Sequence, residues 1–120
     1  MTVADPRPRI ASGPGGSGVV AGVRCQACAE PVAYAWPACP ACGGPIAPAE
    51  FGPGGVVWSA TVVRIPVAGR TPPYALAYVD LDDGPRVLAH VPGGAAPAVG
   101  TRVRLRADAP GGDPQVEVAP

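Results

Sequence analysis

Val23-Arg24-Cys25-Gln26-Ala27-Cys28 and, after a gap of ten residues, Cys39-Pro40-Ala41-Cys42-Gly43 contain all four cysteines of the chain. Two residues between paired cysteines let one tight turn present both sulfurs to a single ion, and two such knuckles complete the tetrahedron of a structural zinc site. Pro40 stiffens the second turn, and Gly43 can take the positive φ that bends backbone N–H groups back toward the sulfurs. In the first knuckle the corresponding residue is Ala29, for which a left-handed backbone costs roughly 1 kcal/mol. Structural zinc binds with an energy on the order of 10 kcal/mol, enough to cover that cost and to organise a segment with little core material. Cys25, Cys28, Cys39 and Cys42 are the candidate metal ligands, with structural zinc as the expected ion.

Two other readings use the same residues. Four cysteines could form two disulfides in three pairings. The first 24 residues, however, carry Asp5, Arg7 and Arg9 and no continuous apolar stretch, so no secretion signal is visible, and cytosolic thiols stay reduced. A rubredoxin-like iron site is the sharper rival, because Cys-Pro-x-Cys-Gly knuckles also hold iron. The short gap and the absence of surrounding aromatic packing favour zinc.

The 120 residues give room for one small domain with an appendage. Gly and Pro number 17 and 18, which makes the chain rich in turns. Nine arginines balance nine acidic residues, lysine is absent, and His90 is the only histidine. This neutrality argues against a dedicated nucleic-acid binder, whose affinity rests on neutralising phosphates. No segment approaches the ~20 apolar residues of a membrane span, so a soluble, cytoplasmic protein without a membrane partner is expected.

Residues 1–18, ending in Ser12-Gly13-Pro14-Gly15-Gly16-Ser17-Gly18, have little apolar content and read as a flexible tail. A zinc ribbon is expected over residues 19–46 and a Pro- and Gly-rich linker over 47–55. From 56 to 120 the pattern changes to strands. Val56 to Ile65 is apolar on both alternations, as a long curved strand serving two halves of a sheet would be. Tyr74 to Leu81 and Arg86 to Val91 are strands joined by a hairpin at Asp82-Asp83-Gly84, where glycine is expected to supply φ > 0. Thr101 to Arg106 alternates strictly, with three arginines outward, and Gln115 to Val118 supplies a fifth strand. Five short strands without a helix suit a small barrel of the OB type. The expected fold is all-β, a rubredoxin-like zinc ribbon followed by a five-stranded OB-fold barrel.

Outside the cysteines, each candidate site has a simpler reading. His90 could act as an acid or base, but no free nucleophile or acid pair accompanies it, and a surface strand position accounts for it. Asp80, Asp82 and Asp83 could bind a cation, whereas turn-forming acids beside Gly84 explain them. Arg102, Arg104 and Arg106 could hold phosphates, whereas a solvated strand face is the commoner origin of such a stripe. The tryptophans and tyrosines are expected to pack in the ribbon–barrel junction or the barrel wall. No catalytic set emerges, and a zinc ion saturated by four cysteines cannot activate water.

Taken in order, the two knuckles, Gly54-Gly55-Val56-Val57-Trp58-Ser59, Pro73-Tyr74, Val79-Asp80-Leu81-Asp82-Asp83-Gly84-Pro85-Arg86 and Val99-Gly100 with Arg102-Val103 resemble the acyl-CoA-associated zinc-ribbon OB-fold family, domain of unknown function thirty-five. The resemblance spans roughly residues 22–106. It implies a non-catalytic accessory subunit that binds a thiolase-like, aldolase or hydratase partner and supports acyl-CoA metabolism, with a coenzyme A thioester in the complex. It implies zinc at Cys25, Cys28, Cys39 and Cys42, and fold roles for Gly54, Gly55, Asp83 and Gly84. The alternatives are a single-stranded nucleic-acid binder and an iron redox protein. Direct coenzyme A contact by Arg64, Arg86 or the Arg102 face is a further expectation.

Overall fold

The computed structural model describes residues 8–107 and 113–119. Among them two antiparallel sheets account for nearly all regular structure, and the one helical element is a 3-10 turn at Pro14–Gly16. Strand β2 (Gly18–Cys25) is the spine of the first sheet. One of its edges takes β1 (Ile10–Ser12) and then β3 (Pro31–Val32), and the other takes β4 (Ile46–Phe51). The second sheet runs β7-β6-β5-β8-β9, from β5 (Gly54–Val63), β6 (Tyr74–Leu81), β7 (Arg86–Val91), β8 (Arg102–Leu105) and β9 (Val116–Val118). A parallel bridge from His90 to Gln115 joins its two ends and closes the barrel. Closure removes the open edges that a five-strand sheet would otherwise present.

The expected strands appear where alternation marked them. Along β6 the residues Ala75, Ala77, Val79 and Leu81 are buried, and along β7 Val87, Ala89 and Val91 are. In β8 Val103 and Leu105 point inward, with the arginines between them exposed. The double apolar alternation of β5 has a geometric origin: the register with β6 slips between Val57 and Ser59. This bulge turns Trp58 outward at 50% exposure while Val57 stays inside.

Three expectations differ from the structure. Ile10–Ser12 falls within the segment read as a flexible tail, yet it pairs with Gly18–Val20. Residues 46–51, mostly within the expected linker, form β4, which runs back along β2 from Cys25↔Ile46 to Val20↔Phe51. Pro48 is tolerated because β4 is an edge strand with β2 as its only partner. Gly84 does not have a positive φ. Its requirement is space, since a Cβ there would lie 2.5 Å from the Phe51 ring.

That contact shows how the two sheets are joined. Phe51, the only phenylalanine, is 1% exposed, and with Val20 and Ala33 it belongs to the same core cluster as Val57, Val79, Leu105 and Val116. Burying a phenylalanine contributes roughly 1.5–3 kcal/mol. Arg24 closes the seam from outside, its guanidinium 5.2 Å from the Phe51 ring centroid and donating to the Asp83 carbonyl at 2.7 Å. Ser17 bridges to Arg106 at the far end.

Candidate metal centre

Each knuckle is a single turn built from the same backbone bonds. The Ala29 N–H donates to the Cys25 carbonyl at 3.1 Å, and the Gly43 N–H donates to the Cys39 carbonyl at 2.8 Å. Both turns need a left-handed residue at their ends, and φ is 77° at Gly43 and 66° at Ala29. Ala29 is the only described non-glycine residue with positive φ. The strain anticipated at this alanine is therefore present.

The four sulfurs lie within 4.8 Å of one another, with Cys25 Sγ 3.6 Å from Cys42 Sγ and Cys28 Sγ 3.7 Å from Cys39 Sγ. A tetrahedron of ~2.3 Å zinc–sulfur bonds separates its sulfurs by ~3.8 Å. None of the cysteines is in a disulfide, and these separations far exceed the ~2.05 Å of an S–S bond. Backbone N–H groups aim at the sulfurs: Ala27 and Cys28 donate to Cys25 Sγ, Ala41 to Cys39 Sγ and Gly44 to Cys42 Sγ, at 3.3 to 3.4 Å. Such bonds orient thiolates and spread their charge. The first cysteine of each knuckle is buried and the second exposed, so the cluster sits at the rim of the ribbon.

The thiols feel one another. The N–H of Cys28, with that of Ala27, holds the Cys25 pKa down to about 6 against the opposing effect of burial. Cys28 moves the other way, up to about 12: the Glu30 N–H lowers it, but the Cys42 sulfur, burial, and the Cys25 and Cys39 sulfurs together outweigh that bond. Adjacent thiolates repel, so a cation among the sulfurs would favour release of the remaining protons at neutral pH. Spacing, N–H donors and this unshared negative charge all fit a divalent, thiolate-binding ion. Four protein ligands also close the coordination sphere, which leaves no position for a reacting water.

The remaining candidates do not converge on this cluster. The His90 side chain is 20% exposed, with Nε2 3.6 Å from Asp113 Oδ2. Its Nδ1 is buried without a hydrogen-bond partner among the described residues. Burial first, and then the nearby Arg70 charge, lower the His90 pKa against the pull of Asp113, so the ring is held neutral. The acids are neither a cation site nor mere turn formers. Asp82 takes a two-pronged pair of bonds from Arg102 at 2.6 and 2.7 Å, and Asp80 takes one from Arg86 at 2.6 and 3.2 Å. Arg104 and Arg106 both reach Glu117, at 2.9 and 3.4 Å. The arginine stripe is thus engaged by carboxylates of its own chain.

The aromatic residues depart most from expectation. Tyr34, Trp36, Trp58 and Tyr78 are 43 to 50% exposed, not packed in a junction or wall. Tyr34 and Trp36 meet edge to face at 6.4 Å, as do Trp58 and Tyr78 at 6.2 Å. The first pair lies on the ribbon between the knuckles and the second on the barrel. A groove of about 350 Å³, lined by Tyr34 and Tyr78 together with Leu76, Leu88 and His90, runs between them. The bulge at Trp58 was the one sequence signal, visible as a β5 segment that alternates in neither phase.

An OB barrel joined through its core to a ribbon with four clustered cysteines defines the class of this molecule. Residues 49–108 match the family model described as ChsH2, C-terminal OB-fold domain. That is half of the chain, and the chain belongs to this DUF35 OB-fold family. It is also similar to a solved structure described as an Ltp2-ChsH2(DUF35) aldolase, with 29% identity and a TM-score of 0.67 over 84% of this chain and 85% of that one. No curated protein matches it in sequence. None of the described helices is long and apolar enough to cross a membrane.

Proposed function

We propose that the chain is a non-catalytic, zinc-binding accessory subunit that docks on a thiolase-like enzyme subunit and supports its acyl-CoA chemistry. The observation that carries the reading is the similarity, across 84% of the chain, to a protein of the Ltp2-ChsH2(DUF35) aldolase. Cys25, Cys28, Cys39 and Cys42 hold the zinc, and the ion fastens the two knuckles of the ribbon together rather than reacting. Arg86, Arg102, Arg70 and Arg104 are engaged with Asp80, Asp82, Asp113 and Glu117 respectively, which weighs against a nucleic-acid role.

Co-expression with a thiolase-fold enzyme subunit tests the assignment. The two co-purify, and the enzyme's activity on acyl-CoA depends on this chain. If they never associate and the activity is indifferent to the chain, the assignment falls. Elemental analysis of the purified protein gives one zinc per chain, whereas a red protein containing iron would replace zinc with a redox site.

A further inference from the structure

Both tryptophans of this chain, Trp36 and Trp58, sit at opposite ends of one line of contacts. Trp36 touches Tyr34, Tyr34 and Tyr78 line the same groove, and Tyr78 touches Trp58. Leu88 lies across from Tyr78 on β7, 43% exposed on the groove floor. Burial of such rings is among the strongest contributions to folding and association, and tryptophan, tyrosine and arginine dominate the energetic centres of protein interfaces. Here half of each ring faces water. With ~150–250 Å² for each aromatic residue, the four offer roughly 400 Å² of apolar surface. That is within the roughly 300–600 Å² of the largest patch on a monomer, and about half of the roughly 800 Å² that each partner contributes to a standard interface.

The charges beside the patch limit what can cover it. Arg86 stacks over Trp58, 3.6 Å from the ring centroid, and is bound by Asp80. Arg70 and His90 both lie against Asp113 at the other end of the groove. Among the described residues, Arg86 and Arg70 beside the aromatic line each already have a carboxylate of their own chain, and His90 is neutral, so they offer little free charge to a polyanion or a strongly acidic surface. An uncharged apolar patch is its complement.

We infer that the Trp36–Tyr34–Tyr78–Trp58 face, with Leu88 at its centre, is where an uncharged apolar surface of the enzyme subunit docks, bridging ribbon and barrel at once. This rests on the proposed function above. It gives the metal a purpose at the interface, because the Tyr34–Trp36 pair lies on the segment between the two knuckles and takes its position from them.

The test measures binding of the co-expressed thiolase-fold subunit to the zinc-loaded wild-type chain, to the double variant Trp36→Ala/Trp58→Ala, to Leu88→Glu and to Val99→Ser. Val99 is exposed and lies off the groove. Zinc content and circular dichroism identify any variant that fails to fold. With the wild-type chain carrying fluorotryptophan, fluorine NMR follows the two tryptophans directly. The inference expects binding weakened about tenfold or more in both groove variants, none in Val99→Ser, and both fluorine signals shifted and shielded from solvent in the complex. A complex that forms equally well with the groove variants, or leaves both signals unmoved, overturns the face while the proposed function stands. Absence of any complex with the wild-type chain overturns both. If the chain instead dimerises through the tryptophans in sedimentation, or binds single-stranded DNA through them at physiological salt, the assigned occupant is wrong.

Discussion

At the scale of single residues, the two knuckles form a natural comparison of glycine with alanine in the same turn. Gly43 adopts φ of 77° freely, while Ala29 is held at 66° at a cost of roughly 1 kcal/mol. Ala29→Gly is therefore expected to stabilise the zinc-loaded protein by up to about 1 kcal/mol, less the added freedom of its unfolded chain. Gly43→Ala is expected to destabilise it by a similar amount. The midpoints of guanidinium unfolding at saturating zinc give both values. A second residue, Asp82, reports on pH. The bonds from Arg102 hold its pKa below the ordinary carboxylate value, so it adds stability above that value and loses it as pH falls through the lowered one. Asp82→Asn should lie slightly below wild type at neutral pH and converge with it in acid below about pH 4. The gap is small because the pair is half exposed. A gap that widens in acid would contradict the sign.

At the scale of elements, the sequence was clearest where local and long-range demands coincide. β6 and β7 were legible to the residue because strict alternation flanks an Asp-Asp-Gly turn, and β8 because arginines alternate with Val103 and Leu105. β4 was not. Its Ile46-Ala47-Pro48-Ala49-Glu50-Phe51 has low strand propensity and a proline that reads as a break, and only pairing with β2 makes it a strand. β1 is three residues whose order likewise comes from their partner. The clustering of the four cysteines was legible, since two tight turns at this spacing bring the sulfurs together. The aromatic face was not, because beyond the β5 pattern that marks the bulge at Trp58 it needs the approach of ribbon to barrel, which is not a local property. The joint itself makes a prediction: Phe51→Ala leaves a cavity under Gly84 and should cost about 3–5 kcal/mol. Thermal unfolding measures it, and a loss below about 1 kcal/mol would mean that the sheets are held together elsewhere.

At the scale of the whole molecule, a shared core couples the ribbon that carries the cysteine cluster to the barrel. Stripping the zinc with a strong chelator at neutral pH is expected to lower the melting temperature of the entire molecule in one cooperative transition, followed together by far-ultraviolet dichroism and tryptophan fluorescence. Two separate transitions, with the barrel unmoved, would show the ribbon to be a detachable appendage. Acid should act in the same direction, because protons compete with the ion for the four sulfurs and affinity falls as pH is lowered. The pairing of β4 with β2 also bears on inheritance. A crossover between relatives within residues 46–51 would draw β4 partly from one parent and its partner strand β2 from the other, separating Val20 from Phe51, and one placed just after Phe51 would separate that ring from the glycine that makes room for it. Ribbon and barrel should therefore pass between lineages as one block, and chimeras joined at the apparent Pro- and Gly-rich boundary should be the least viable.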